Sequence, residues 1–187
     1  MDEQSIIAGC KRGEATARKE LYELYAPAML SVCARYVNDR ETARDLMQDG
    51  FIKVFTKIDT YSATGPFGGW LRRVFVTTAL EHLRKYDTLR SGVRIDEYEE
   101  QVEDMDASIL DRLSADDLLD CISRLPNGYR TVFNLYAIEG YSHKEIAAML
   151  HIQEASSRSQ FIRARKTLQE IVQSLIMQED VRIQRTE

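Results

Sequence analysis

The sequence predicts an all-α protein: two small helical domains joined by an acidic flexible linker, the second domain containing a helix-turn-helix. Three observations carry this. Apolar residues recur at spacings of three and four along most of the chain, the period of a helix buried on one face. Proline and glycine are few, three and nine in 187 residues, and most fall between the periodic stretches. Charge is uneven: residues 1–90 carry 14 basic and 12 acidic side chains, residues 91–116 carry 2 and 9, and residues 117–187 carry 9 and 9. The net charge of −5 therefore sits in one short segment, whose sparse apolar residues and self-repulsion read as a linker. Neither flanking domain is acidic, so the global charge does not exclude nucleic acid as a partner.

The bulk composition, 44% hydrophobic and 29% charged, is that of an ordinary folded protein. No apolar run approaches the roughly 20 residues of a membrane span. The N-terminus places Asp2 and Glu3 ahead of a very short apolar patch, unlike a signal peptide, so a cytoplasmic location is expected. Cys10, Cys33 and Cys121 are scattered and odd in number, the pattern of free thiols in a reducing compartment.

In the first domain Gly13 ends a short leading helix and Glu14–Tyr25 forms the next. Pro27 suits the first turn of a third helix, where its missing N–H costs little. Asn38 with Glu41 resembles a capping box opening a helix over 39–58. Its apolar stripe is Ala43, Leu46, Met47, Phe51, Val54, Phe55 and Ile58. The Gly- and Pro-containing stretch 59–69 breaks it, and a further helix over 70–85 turns Leu71, Val74, Phe75, Ala79 and Leu83 inward. In the second domain Leu118, Leu119, Ile122 and Leu125 line one helix, stopped at Pro126 to Gly128. Val132, Phe133 and Tyr136 line the next, which Gly140 terminates. Ser142 and Glu145 form a capping box for a short helix with Ile146, Ala147 and Leu150; after a turn at 151–155, a long helix runs over 156–177.

Two stretches have the chemistry of nucleic-acid binding. Residues 142–166 have helix-turn-helix proportions, and the second helix carries Arg158, Arg163, Arg165 and Lys166 with no acid between Glu154 and Glu170. Ser156, Ser159 and Gln160 add groups able to reach phosphates or base edges in a major groove. A basic solvated helix in an unrelated bundle would show the same charges. The second stretch runs from Tyr61 through Phe67 and Trp70 into a helix bearing Arg72, Arg73, Thr77, Arg84 and Lys85. A pliant loop, aromatic faces and cations are what single-strand capture requires. Trp70 and Phe75 also lie at helical spacing, which a plain core position explains equally. Catalysis finds no support. His82, His143 and His151 lack metal-ligand spacing, and no phosphate-cradling glycine motif occurs, so neither metal nor cofactor is expected. Asp45 and Asp49, one helical turn apart, suit a partner-facing surface better than an acid/base pair.

These residues resemble a known family. The run from Ala43 to Phe51 is similar to the D-L-x-Q-[DE]-x-F signature of the extracytoplasmic-function sigma factors of bacterial RNA polymerase. Phe67 to Arg73, continuing from Glu81 to Lys85, resembles that family's promoter-melting helix, F-x-x-W-L-x-R-I…[DE]-x-L-R-[RK]. Leu125, Pro126, Arg130, Val132 and Phe133 look like its L-P-x-x-x-R-x-V-F stretch. The segment from Glu139 to Ala147, with Arg163 to Leu168, is similar to E-G-x-S-x-x-E-I-A…R-A-R-x-x-L. The motifs stand in the family's order, on both sides of a linker of the expected kind.

The resemblance implies a transcription initiation factor rather than an enzyme. Residues 1–90 would bind core RNA polymerase and melt the −10 region, residues 91–116 would be the linker, and residues 117–187 would read the −35 element. Arg44, Asp45, Gln48, Asp49 and Lys53 would dock on the β′ clamp coiled coil, with the β subunit also a partner. Tyr61, Phe67, Trp70, Arg72, Arg73, Thr77, Arg84 and Lys85 would meet −10 DNA. Ser156, Arg158, Ser159, Gln160, Arg163, Arg165 and Lys166 would meet −35 DNA. An anti-sigma factor is a further expected kind of partner. The sequence departs from the family pattern at Gly68 and Gly69, where polar residues are common, at Thr77 for Asn, at His151 for Gly, and at Ser157 for an apolar residue.

Overall fold

The structure, a computed structural model, describes residues 2–85 and 114–184. The described residues are helical with no strand, and the chain divides into two compact units, Met1–Tyr86 and Asp87–Glu187. The predicted linker, apart from its last three residues, lies outside the described residues.

The first unit is built from α1 (Glu3–Lys11), α2 (Ala15–Ala34), α3 (Arg40–Lys57) and α4 (Phe67–Lys85), with a 3₁₀ turn at Ile58–Thr60. The side chain of Asp2 accepts from the Ser5 N–H and starts α1. Gly13, at φ 82°, supplies the left-handed turn into α2. The sequence places a helix boundary at Pro27, but α2 is one helix with Pro27 inside it. Proline removes a single backbone hydrogen bond on an exposed turn. Leu21 before it and Met29, Val32 and Cys33 after it all face the core, and their burial outweighs that loss. The cap of α3 also moves by one residue: Asp39, not Asn38, accepts from Thr42 N at 2.7 Å.

The core of this unit is an aromatic and aliphatic layer between α2, α3 and α4. Phe51 packs on Tyr22 at 4.7 Å and edge-on against Phe75 at 5.1 Å. Helix α4 is buried around more of its girth than an amphipathic reading suggests, because Val76, Thr78 and Leu80 are buried along with Leu71, Phe75, Ala79 and Leu83. Gly50 is the close-approach point of α3 on α4. A Cβ there would lie closer than 3.0 Å to three carbons of the fully buried Phe75 ring. Gly50→Ala is therefore expected to destabilise the first unit by about 1–3 kcal/mol despite alanine's better helix propensity. Thermal unfolding checks this: a melting temperature at or above that of the unsubstituted protein would show the helices can separate freely.

The second unit comprises α5 (Ala115–Ser123), α6 (Asn127–Phe133) running on as a π-helical segment at Asn134–Ile138, α7 (His143–Leu150) and α8 (Glu154–Gln184). A capping box of Ser114 and Asp117 opens α5. Arg130 is buried at 2% exposure, and its guanidinium donates to the Ser123 carbonyl and to Asn127 Oδ1, both at 2.7 Å. It thereby satisfies the C-terminal end of α5 and welds it to α6. Cys121, Ile122 and Leu125 pack with Ala164, Leu168, Val172 and Ile176 of α8 as the core. Leu119, expected inside, is 40% exposed because α5 presents only one face to that core.

The helix-turn-helix is α7 and α8. Ser142 and Glu145 form the expected capping box. His151 occupies the left-handed conformation at φ 55°, ψ 44°, the position where glycine is usual, and its N–H returns to the Ala147 carbonyl. Helix α8 begins two residues earlier than expected, at Glu154, and reaches Gln184.

Candidate polymerase and nucleic-acid interfaces

Burial of Ala43, Leu46, Met47, Gly50, Phe51 and Val54 on one side of α3 leaves Arg44, Asp45, Gln48 and Asp49 exposed on the other. Lys53 does not join them. Its ammonium lies 2.5 Å from Glu81 Oε2, so in the free protein it ties α3 to α4 at the edge of the expected docking face. Beside it stands Ile52, 64% exposed. At three and four residues from Asp49 and Gln48 it shares their helix face. The sequence hides it, because an isoleucine beside an apolar stripe reads as the edge of the core. An exposed apolar side chain framed by Gln48 and two carboxylates can anchor a partner helix while the polar groups set its register.

The loop between α3 and α4 carries an aromatic cluster. Phe67 is 1% exposed, in edge contact with Tyr25 at 5.7 Å and Tyr61 at 5.1 Å, and 5.5 Å from Trp70. Phe67, expected at the DNA, therefore supports the loop from beneath with its ring buried. Tyr61 and Trp70 are half-buried, 5.7 Å apart, and keep part of their rings at the surface. Phe75 is core and Trp70 is not wholly so. Along α4, Arg73, Thr77, Arg84 and Lys85 are exposed and Arg72 is half-buried. Thr77 spends its hydroxyl on the Arg73 carbonyl at 2.8 Å. A Cβ at Gly69 would meet nothing within 4 Å, and at Gly68 only Tyr25 at 4.0 Å, so packing does not demand glycine at either position.

On α8 the buried Ser157, Gln160, Ala164 and Leu168 define the inward face. Gln160, expected at the DNA, is 6% exposed and lies on the core side of the helix. At 100° per residue, Ser159 and Lys166 fall near the middle of the outward half, Arg158 and Arg165 toward one edge, Ser156 and Arg163 toward the other. Arg158 and Lys166 are exposed; Ser156, Ser159, Arg163 and Arg165 are half-buried. Arg158 pairs with Glu154 one turn earlier, an exposed ion pair that water competes with and that a stronger anion can displace.

The apolar position vacated by Ser157 is explained by His143, whose Nδ1 lies 3.0 Å from the Ser157 hydroxyl. The imidazole stacks on Tyr136 at 4.3 Å and meets the Phe161 edge at 5.8 Å, linking the π-helical segment, α7 and α8. Burial, and then the nearby Arg158 charge, push the His143 pKa down, with Glu154 opposing. The unfolded chain thus binds this proton more readily than the folded one. The stability His143 contributes is present above its ordinary pKa near 6.5 and lost as pH falls below it. Unfolding at pH 7.5 and 5.5 should therefore show lower stability at the acid value, with a smaller difference for His143→Gln; equal differences would place the dependence elsewhere.

Among the described residues no group of His, Cys, Asp or Glu could hold a metal ion, and no helix is long and apolar enough to cross a membrane.

With these surfaces in place, the comparisons with known proteins fall into register with both units. Residues 21–88 match the family described as Sigma-70 region 2, and residues 115–168 match that described as Sigma-70, region 4. The RNA polymerase sigma-H factor of Pseudomonas aeruginosa is 26% identical over 185 residues, spanning 93% of this chain and 95% of its own. The ECF RNA polymerase sigma-E factors of Haemophilus influenzae and Escherichia coli K12 are each 25% identical, spanning 94% of this chain and 98% and 97% of theirs. Among solved structures, the sigma factor RpoE of Bartonella quintana, in complex with the anti-sigma factor NepR, has a TM-score of 0.52 at 23% identity, covering 83% of this chain and 96% of that one. CnrH, in complex with the cytosolic domain of CnrY, has a TM-score of 0.50 at 20% identity, covering 92% and 97%. Both are likenesses of fold.

Proposed function

This chain belongs to the sigma-70 family of RNA polymerase sigma factors, in the extracytoplasmic-function group, and from that premise we propose which of its surfaces carry each step of initiation. The outward face of α3, with Asp45, Gln48, Asp49 and Ile52 at its centre and Arg44 at its edge, docks on the β′ clamp coiled coil of core polymerase. The loop at Tyr61 to Trp70, with Arg72, Arg73, Thr77, Arg84 and Lys85 on α4, meets the −10 strand as it opens. Helix α8 enters the −35 major groove with Arg158, Ser159 and Lys166, while Ser156, Arg163 and Arg165 meet the flanking phosphates. We divide the chain accordingly into residues 1–90, a linker at 91–116, and residues 117–187.

The observation that carries this reading is the coexistence of two unlike surfaces on separate units. One is an acidic face with an exposed isoleucine, suited to protein; the other is a basic, acid-poor helix face, suited to duplex DNA. Only a factor that brings a partner to DNA needs both. Such a factor moves no bonds itself, so it is an initiation factor and not an enzyme, and it acts in the cytoplasm where polymerase works. An anti-sigma factor covering the same surfaces fits this arrangement.

Adding core polymerase to a promoter-binding assay tests the proposal. Specific binding should depend on core. Binding that is indifferent to core would indicate a conventional helix-turn-helix repressor or activator, and no binding in either case would indicate a protein-only adaptor.

A further inference from the structure

The loop that follows α3 is held from outside by a helix that lies ahead of the residues matching the family. Lys11, the last residue of α1, donates from Nζ to the Tyr61 carbonyl at 2.9 Å and stands 5.8 Å from the centre of the Tyr61 ring. The Sigma-70 region 2 match begins only at residue 21. From this geometry we infer that Lys11 is a positioning residue for promoter opening: it fixes Tyr61, and through it Trp70, in the arrangement that receives the separated strand. The inference rests on the reading of this loop as the −10 strand receiver.

Tyr61 is the hub. Its carbonyl accepts from Lys11, its hydroxyl donates to the Gly65 carbonyl at 2.6 Å, and its ring touches both Phe67 and Trp70. The tip it closes contains Ala63 at φ 57°, a left-handed conformation uncommon for a residue with a Cβ and costly to hold. Helix α1 can do the holding, because Ile6, Ile7 and Cys10 seat it in the core. A second link runs the same way. Tyr25 donates its hydroxyl to Glu3 of α1 and sets its ring against Phe67; burial and that carboxylate push its pKa up to about 12, so the phenol stays a donor across the working range. The helix thus contacts the aromatic cluster at two points, one beneath Phe67 and one at the loop backbone. Lys11 directs its charge onto a carbonyl and a ring face, the two acceptors an ammonium can use at once.

The test uses full-length protein assembled with core polymerase, and a short single-stranded oligonucleotide carrying the non-template −10 sequence of a promoter mapped by run-off transcription. Lys11→Met removes the donor and keeps the chain length; Lys11→Arg keeps the donor. Capture of the oligonucleotide should weaken by about tenfold in Lys11→Met, the lower end of the loss expected for one hydrogen bond from a charged group. It should return to within about twofold in Lys11→Arg, with melting temperature and core affinity unchanged in both. Unchanged capture by Lys11→Met, while Arg73→Ala weakens it, would overturn the inference and leave the reading of the loop intact. Capture unaffected by Lys11→Met, Arg73→Ala and Trp70→Ala alike would remove the strand-receiver reading and the inference with it. A melting temperature lowered in step with capture would make Lys11 a general prop. A salt dependence of capture shallower by about one unit in Lys11→Met would make it a direct phosphate contact. Either result would also overturn the positioning role.

Discussion

Replacing Ile52 with Asp is expected to weaken binding to core RNA polymerase by roughly thirtyfold or more, the equivalent of about 2 kcal/mol. Ile52 is 64% exposed in the free protein, so the change costs the fold little, within about 0.5 kcal/mol. The loss falls almost wholly on the complex, where the apolar anchor is replaced by a carboxylate that must be desolvated beside Asp45 and Asp49. The double change Gln48→Ala with Asp49→Arg attacks the polar half of the same face and should cost about tenfold. Lys53→Ala is the contrast within the same helix. It breaks the pair with Glu81, so it should lower thermal stability slightly and leave core affinity within about twofold. Titration of each variant with core polymerase, alongside circular dichroism, distinguishes these outcomes. Equal affinity for Ile52→Asp and the unsubstituted protein would remove α3 from the docking surface.

The second large effect separates the two DNA-facing units by mechanism. Arg158→Ala should remove a base contact of about 1–3 kcal/mol and blunt discrimination among −35 variants, yet spare opening on a pre-melted template. Arg72→Ala and Arg73→Ala should behave in the opposite way, impairing opening on duplex DNA with partial rescue when the −10 bubble is supplied. Arg73 is the cleaner of the two, because it is exposed whereas Arg72 is half-buried and holds interactions of its own. Permanganate reactivity of the −10 bases on matched duplex and pre-opened templates reads both effects. If the Arg158 and Arg73 variants gave the same profile on the two templates, the division of labour would be wrong.

What could be read from the chain before its structure, and what could not, follows from which forces are local. The capping box at Ser142 and Glu145 and the left-handed turn at His151 depend on residues within a few positions of each other, and local chemistry decided them. The apolar stripe of α3 was legible for the same reason, since a period of three and four needs only one helix. Pro27 looks like a helix boundary in the sequence, but burial of Leu21, Met29 and Val32 against other helices holds α2 together across it. Asp39 and Asn38 are both good caps, and the backbone alone selects between them. Phe67 and Gln160 look like contact residues in a linear motif, yet packing turns both inward. Ile52 is their mirror image, an apolar residue that the arrangement of α2 and α4 leaves outside. Lys53 sits in the docking motif by sequence, and only the approach of Glu81 from α4 reveals its ion-pair partner. Ser157 was visible as a departure from pattern but had no explanation until His143 was found against it.

Run-off transcription on genomic fragments, with purified core polymerase and this protein as the only added factor, tests the central claim most directly. The account predicts discrete transcripts that require both core and this chain, that are lost with Ile52→Asp, and whose start sites share one −35 and one −10 sequence at constant spacing. Transcripts that start at the same sites without this protein, or no transcripts despite stable assembly with core, would contradict it.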